Sequence, residues 1–240
     1  MADQEVIKHT KKIYKIWNSN EHSLWQKVKE FLMEILIIVF AVSLSIWLHG
    51  RSEQSHQEQE VKAFLQGIEQ DLQSDITEMT EDRSMYVMSQ KAYRYIRTLG
   101  RNEAASRDSI NFYSRFLFNQ TGLIPNDGRF EGFKSSGKIG SIENLELQNE
   151  IMNLYQEEIP SLVVYTNFYS AQKAAIALYF DQHLTRTSDS TNNMLELFSK
   201  DEAFNKAEDL TQVRSIVSQY DKCIATMKRI IALIKKEYGD

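Results

Sequence analysis

The chain has 240 residues, of which 25% are charged and 42% are hydrophobic, and its formal net charge at pH 7 is -5. This length allows one or two domains, and the acidic balance argues against nucleic-acid binding, which requires a basic face. The single cysteine, Cys223, excludes an intramolecular disulfide and is predicted to be a small buried hydrophobe, because it lies in an apolar helical pattern.

The first segment, residues 1–22, combines four lysines with apolar residues at helical spacing. The apolar residues that can share one face are Ile7, Ile13, Ile16 and Trp17. This pattern predicts a basic amphipathic segment on the cytoplasmic surface of an anionic membrane. A frayed terminal tail is the alternative interpretation of the same residues.

An apolar block follows between Phe31 and Leu48, interrupted only by Glu34, Ser43 and Ser45. A helix of this length spans about 27 Å, close to the hydrocarbon thickness of a bilayer. We therefore predict a transmembrane helix with interfacial flanks over residues 23–50. A cleaved signal peptide fits less well, because about 30 mostly polar residues precede the block and signal peptides place theirs nearer the start.

Three residues of this segment are candidate contact sites. Trp25 and Trp47 bracket the apolar block, at the positions where tryptophans anchor membrane helices in the interface. Glu34 lies one turn inside the block, where a carboxylate is costly unless it faces a partner or a polar cavity, so it is a candidate intramembrane contact. The alternative is that Glu34 reaches interfacial water or the nearby Lys27 and Lys29.

The basic residues near the block predict its orientation. Six lysines precede it, whereas only Arg51 and Lys62 follow within about twenty residues. Because basic flanks stay in the cytoplasm, we expect the N-terminus inside and residues 51–240 outside. The chain is thus predicted to be a single-pass protein of the cell inner membrane with a periplasmic C-terminal domain, which holds 22 basic and 28 acidic side chains.

Two apolar seams predict how the exported part folds. The helix that contains the block is expected to continue to Leu99 and to end at Gly100, with a coiled-coil-like seam at Val61, Leu65, Ile68, Leu72, Ile76 and Met79. The last helix repeats apolar residues at heptad spacing, at Val213, Val217, Tyr220, Ile224, Met227, Ile231 and Ile234. We expect the two seams to pair.

The residues between the seams predict further helices and one irregular stretch. Helices are expected at Asp108–Phe118, from Asn144 to a pause at Pro160, and from Ser161 to Leu184. Residues 121–141 hold five of the nine glycines and are predicted to form a loop, and residues 185–193 a polar linker. No alternating strand pattern is present. The predicted fold class is all-α, with one N-terminal transmembrane helix followed by a long-helix bundle ectodomain over residues 51–240.

The stretch from Gly132 to Lys138 resembles a phosphate-binding P-loop in composition only. Ile139 stands where that motif needs Ser or Thr to hold Mg²⁺, and the preceding residues predict a turn instead of a strand. We therefore expect no nucleotide, and instead a glycine-rich interhelical loop that docks Phe130 and Phe133.

Catalytic and metal-binding patterns are weak. Glu53, His56 and Glu60 could share one helical face, but a second Glu-x-x-His on a facing helix, which a ferritin-like site needs, does not occur. The Gly-x-Ser-x-Gly pattern of a nucleophilic serine is missing too. The sequence predicts a protein that is not an enzyme, with no catalytic, cofactor-binding or metal-binding residues and no cofactor.

Several segments together resemble a known family. They are residues 34–39, residues 47–53, Phe64-Leu65, residues 69–72, and residues 133–138 with Ile142, Asn144, Leu145 and Tyr155. They are similar to a family of small single-span membrane proteins common in Bacteroidota, whose domain has no assigned function. The resemblance implies the membrane anchor and a role for residues 132–138 other than nucleotide binding, and it implies no catalytic residue.

These features favour a membrane-anchored accessory or scaffolding subunit that acts through helix–helix contacts. Its expected partners are the membrane and either further copies of itself or other membrane proteins. A single pair of helices would leave several aromatic residues to be covered, namely Phe112, Phe116, Tyr165, Phe168, Tyr169 and Phe180. The alternative function is a ligand-sensing periplasmic helical domain that works with a separate membrane partner, since only about 30 residues remain inside for any output module.

Overall fold

The computed structural model describes residues 24–99, 106–186 and 192–238, together with Lys11 and Tyr14. The proposed amphipathic segment 1–22 therefore lies outside the described residues, apart from these two exposed positions. Two compact units divide the chain, Met1–Glu60 and Val61–Asp240. The described secondary structure is helical, which confirms the all-α prediction, and an isolated β-bridge joins Arg186 to Asn192.

The first helix, α1, runs without a break over Leu24–Thr98, as the sequence predicts. Its first part belongs to the first compact unit, and its second part, from Val61 onward, belongs to the second. The seam in this second part is buried as expected, with Leu65, Ile68 and Leu72 fully shielded from solvent. A period of 3.5 residues puts these side chains on one face, and this face forms part of the hydrophobic core.

Seven more α-helices follow in the described part of the second unit. They are α2 (Arg107–Leu117), α3 (Gly128–Ser135), α4 (Leu145–Asn153), α5 (Ile159–His183), α6 (Met194–Phe198), α7 (Asp201–Leu210) and α8 (Arg214–Tyr238). A 3₁₀ turn covers Lys138–Ser141 and a π-helical turn covers Leu154–Glu158. Ser106 and Asn144 begin α2 and α4 as side-chain N-caps, each accepting a hydrogen bond from the backbone three residues on.

The helix α8 lies against α1 in the antiparallel direction. The Lys235 ammonium is 3.4 Å from the Glu69 carboxylate, and the Tyr220 hydroxyl donates to Asp82 over 3.2 Å. The later residue of α8, Lys235, contacts the earlier residue of α1, Glu69, and the earlier residue Tyr220 contacts the later residue Asp82, so the two helices run antiparallel. The expected pairing of the two seams is therefore present.

The buried face of α8 differs from its predicted seam by part of a turn. Val217, Ile224 and Ile231 are only half-buried, whereas Cys223 and Ile230 are fully buried. Four of the seven predicted positions, Val213, Tyr220, Met227 and Ile234, are buried, and at the other three the residue one place earlier is buried instead, because α5 contacts α8 as well. Cys223 is buried as predicted, and burial raises the pKa of its thiol to about 12.

The prediction of a loop over residues 121–141 is wrong in part, because α3 and the 3₁₀ turn lie within it. Packing overrides the low helix propensity of the glycines here. Phe130 is fully buried and stacks on Tyr155 with 4.5 Å between ring centroids, and Phe133 stacks on Phe64 at 3.8 Å. The predicted docking of Phe130 and Phe133 is confirmed.

The expected pause at Pro160 takes the form of the π-helical turn just before it. Pro160 lies in the first turn of α5 and has no backbone N–H, so it cannot donate to the carbonyl of Gln156. The chain widens there, and the Ile159 N–H bonds to the Leu154 carbonyl, five residues back. The helical path from α4 to α5 thus continues past the proline.

Candidate membrane and interaction surfaces

The apolar block is an exposed surface. Every residue from Phe31 to Leu48 is exposed except Glu34, which is buried, and Ile38, which is half-buried. Only 6% of the most apolar window of this helix is buried, whereas the core helix of a soluble protein would be mostly buried. By length and composition α1 is able to cross a membrane.

Trp25 and Trp47 lie at the two ends of this surface and are 79% and 57% exposed. Twenty-two residues of α-helix separate them by about 33 Å along the axis, close to the thickness of about 30 Å for a hydrocarbon core. The Arg51 guanidinium lies over the Trp47 ring at 5.6 Å from its centroid. An aromatic ring with a cation beside it suits the boundary between apolar and polar surroundings.

Glu34 is the exception within the apolar surface, because it is only 6% exposed. A carboxylate in such a segment costs least where it is shielded from lipid and held in a polar contact. Glu34 is shielded within the single chain, which argues against a side chain that extends to interfacial water. Its role as an intramembrane contact stays a prediction.

The helix α5 carries a second apolar surface, in the unit formed by residues 61–240. Between Glu158 and Asp181 its only charged residue is Lys173, which is buried. The outward face exposes Val164 (68%), Phe168 (67%) and Leu178 (54%). A helix that is apolar on all faces is normally covered on all faces, so this outward face is a candidate interaction surface.

The six aromatic residues that a single pair of helices would leave exposed fall into two groups in the structure. Phe116, Tyr169 and Phe180 are buried in the core, whereas Phe112, Tyr165 and Phe168 are exposed. The described helices of this unit therefore leave three of the six exposed, which is more than the sequence suggested for a complete bundle.

Lys173 is a buried cation that sequence reasoning missed. Its ammonium donates to the Phe116 carbonyl at 3.0 Å, to the Asn119 carbonyl at 2.7 Å and to Asn119 Oδ1 at 2.8 Å. The first of these acceptors belongs to the last turn of α2, whose carbonyls lack partners within the helix. Burial lowers the pKa of Lys173 to about 8.

Two side chains of α1 complete the cap of α2. Ser89 donates to the Phe116 carbonyl at 3.0 Å, and Tyr93 donates to the Leu117 carbonyl at 2.6 Å. A positive charge at a helix C-terminus is also favoured by the helix dipole. The helices α1, α2 and α5 are thus joined at this point by the hydrogen bonds of Lys173, Ser89 and Tyr93. The single lysine within a long uncharged stretch was the available sequence signal.

Two other buried polar side chains, Asp75 and Glu158, also link neighbouring elements of the fold. Asp75 is fully buried and accepts hydrogen bonds from the side chain and the backbone of Asn126, and burial raises the pKa of its carboxyl group. Glu158, in the π-helical turn, accepts from the Asn153 side chain at 2.8 Å and lies 3.3 Å from the Lys222 ammonium. These contacts hold neighbouring elements together.

The other residues singled out in the sequence lie apart from these groups. Glu53 and His56 are exposed on α1, and no cluster of three potential metal ligands occurs among the described residues. The segment Gly132–Lys138 lies partly in α3 and partly in the turn that follows, with Gly137 in the left-handed region at a φ of 75°. Comparisons with protein-family models, with curated proteins and with solved structures found no match.

Proposed function

We propose that this chain is a single-pass membrane protein that serves as a non-catalytic accessory or scaffolding subunit and acts through helix–helix contacts. In this proposal the block from Phe31 to Leu48 crosses the inner membrane, with Trp25 and Trp47 in its two interfaces. The N-terminus is cytoplasmic and residues 51–240 form a periplasmic helical bundle. Membership of the Bacteroidota family that the chain resembles is part of the same proposal.

The observation that carries the proposal is the exposed apolar surface from Phe31 to Leu48. Soluble monomers rarely expose a contiguous apolar patch larger than a few hundred Å². A helix surface about 27 Å long that is apolar on nearly every side exceeds that limit, and a bilayer is the solvent that suits it. The six lysines before the block, against only Arg51 and Lys62 in the twenty or so residues after it, support the orientation.

The place of Glu34 in the sequence, and not its burial within the single chain, motivates the assembly part of the proposal. Glu34 is the one carboxylate in the block, and polar groups at this depth serve as contacts between membrane helices. Partners are further copies of the chain or other membrane proteins. The proposal includes no nucleotide, nucleic acid or cofactor.

The test measures assembly of the full-length chain in mild detergent by native mass spectrometry. Glu34→Leu is compared with Ser43→Leu, which introduces the same leucine at an exposed polar position of the same block. We expect assemblies or co-purified membrane proteins for the wild type and for Ser43→Leu, and a reduced assembled fraction for Glu34→Leu. Monomer alone in all three samples, with no co-purified protein, would contradict the proposal.

A further inference from the structure

We infer that the outward face of α5 is a pairing surface for the same face of a second copy of this chain, with the two α5 helices parallel and in register. The inference deepens the proposed function and rests on it in one respect, because anchorage in a shared membrane is what confines the two copies together. It names one surface and one partner for the assembly that was proposed above.

The spacing of the outward residues is the first argument. Val164, Phe168, Ala171, Ala175, Leu178 and Gln182 follow one another at intervals of 4, 3, 4, 3 and 4 residues, and all six are exposed. This is the heptad spacing by which two helices pack side by side along a seam. The inward residues of α5, such as Leu162, Tyr169 and Ile176, are already buried in the core. The helix therefore has one covered face and one uncovered face, and the uncovered face is apolar from Val164 to Leu178.

The absence of charge on this face argues for a second copy. Parallel in-register pairing places each residue opposite itself, so any charged residue on the seam would oppose a like charge. Between Glu158 and Asp181 the only charged residue is Lys173, and its ammonium is held inside by the end of α2. Self-pairing of this seam therefore carries no like-charge repulsion, although residues 51–240 are acidic as a whole.

The same absence of charge argues against an anionic lipid surface as the occupant. Helices that lie on such membranes carry lysine or arginine beside their apolar face. From Ile159 to Phe180, α5 exposes no basic side chain. A lipid surface would therefore gain no electrostatic attraction from this face.

The size of the surface is sufficient for a specific contact between anchored chains. The seam from Ser161 to Gln182 is about 32 Å long, and half of a helix surface about 10 Å across then has about 500 Å², so two copies would bury about 1,000 Å². Specific interfaces begin near about 1,000 Å². Confinement of both copies to one membrane raises their effective concentration, so a contact at this lower limit is enough.

The test uses cysteine cross-linking of the full-length chain in lipid nanodiscs and native-like vesicles. Ala175→Cys places a thiol on the seam, where a parallel pair brings the two residues within the Cα–Cα distance of about 4.4–6.8 Å that a disulfide requires. Ser218→Cys, an exposed position on α8, is the matched control. The unaltered chain supplies the background, because its own Cys223 is fully buried.

We expect mild oxidation to give a disulfide-linked dimer with Ala175→Cys and at most background dimer with Ser218→Cys. Adding Phe168→Asp to Ala175→Cys should lower the dimer yield at least tenfold. Adding Ile124→Asp, which alters an exposed apolar residue outside the seam in the same way, should leave the yield unchanged. Circular dichroism of each variant confirms that the helices remain folded.

A dimer yield for Ala175→Cys no higher than that for Ser218→Cys would overturn the inference. So would a different co-purified protein that is lost with Phe168→Asp while Ala175→Cys gives no dimer. If assembly persists in native mass spectrometry and is sensitive to Glu34→Leu alone, the α5 surface is wrong and the proposed function stands. If every variant and the wild type are monomers without partners, the proposed function itself fails.

Discussion

The stability of the domain is expected to depend on pH through Lys173. Burial lowers the pKa of this lysine from 10.5 to about 8 in the folded chain. The unfolded state then binds more protons than the folded state between these two values, so the free energy of unfolding rises as the pH rises through that window. Well below pH 8 the lysine is protonated in both states, so the stability no longer changes with pH through this group and the full cost of burying its charge is present.

The magnitude follows from that difference in pKa. Between pH 7 and pH 9.5 the wild type should gain about 2 kcal/mol relative to a chain without this lysine, at 1.36 kcal/mol for each tenfold change. Lys173→Met removes the titrating group and also the donor to the Phe116 and Asn119 carbonyls. The substitution should therefore become more destabilising by about 2 kcal/mol over this range, whatever its cost at pH 7.

The assay is urea unfolding of the full-length chain in mild detergent, followed by far-ultraviolet circular dichroism at pH 7, 8, 9 and 9.5. Lys228→Met is the matched control, because Lys228 is exposed on α8 and folding does not remove its hydration. We expect the difference between the wild type and Lys173→Met to grow with pH, and the difference for Lys228→Met to stay constant. Parallel pH profiles for the wild type and Lys173→Met would refute the role assigned to burial.

Three further substitutions test individual contacts by the same unfolding assay. Asp75→Ala leaves two donors of Asn126 without their acceptor, which should cost about 1–3 kcal/mol; an unchanged stability would mean that water replaces the carboxylate. Ile230→Ala empties a fully buried position of α8 and should cost about 2–5 kcal/mol, whereas a negligible cost would contradict its place in the core. Gly137→Ala forces a side chain into the left-handed region and should cost about 1–2 kcal/mol, and a neutral effect would contradict that conformation.

The long helices could be predicted from the sequence because periodicity and length decide them. The apolar block and the first seam specify α1 over most of its length, and the predicted starts at Asp108 and Asn144 lie within a residue of those of α2 and α4. These signals are local, since each depends on residues within a few positions along the chain. They are independent of how the helices later pack.

Features that depend on packing between segments far apart in the chain could not be predicted from the sequence. The helix α3 forms in a glycine-rich stretch because the ring of Phe130 stacks on that of Tyr155, which is 25 positions away along the chain. The buried face of α8 is displaced from its heptad seam because α5 as well as α1 packs on it. In the sequence Lys173 is a single charge in an uncharged stretch, and the fold brings its ammonium to three acceptors, one in the last turn of α2 and two on Asn119 just after it.

One of the two candidate surfaces could be predicted from the sequence and the other could not. Trp25, Trp47 and Glu34 could be named from the sequence, because the boundary and the interior of an apolar block are visible in it. The outward face of α5 could not, since its inward and outward residues are equally apolar. Which of them remains uncovered depends on how many helices the domain has to pack.

The central claim is that the block from Phe31 to Leu48 crosses the membrane with its N-terminal flank inside. Single cysteines at Tyr14 and Ser218, both exposed positions, can be labelled with a membrane-impermeant thiol reagent in cells with an intact inner membrane and an opened outer membrane. The account predicts that Ser218→Cys reacts at once and that Tyr14→Cys reacts only after the inner membrane is permeabilised. Labelling of both cysteines before permeabilisation, or of Tyr14→Cys alone, would contradict it.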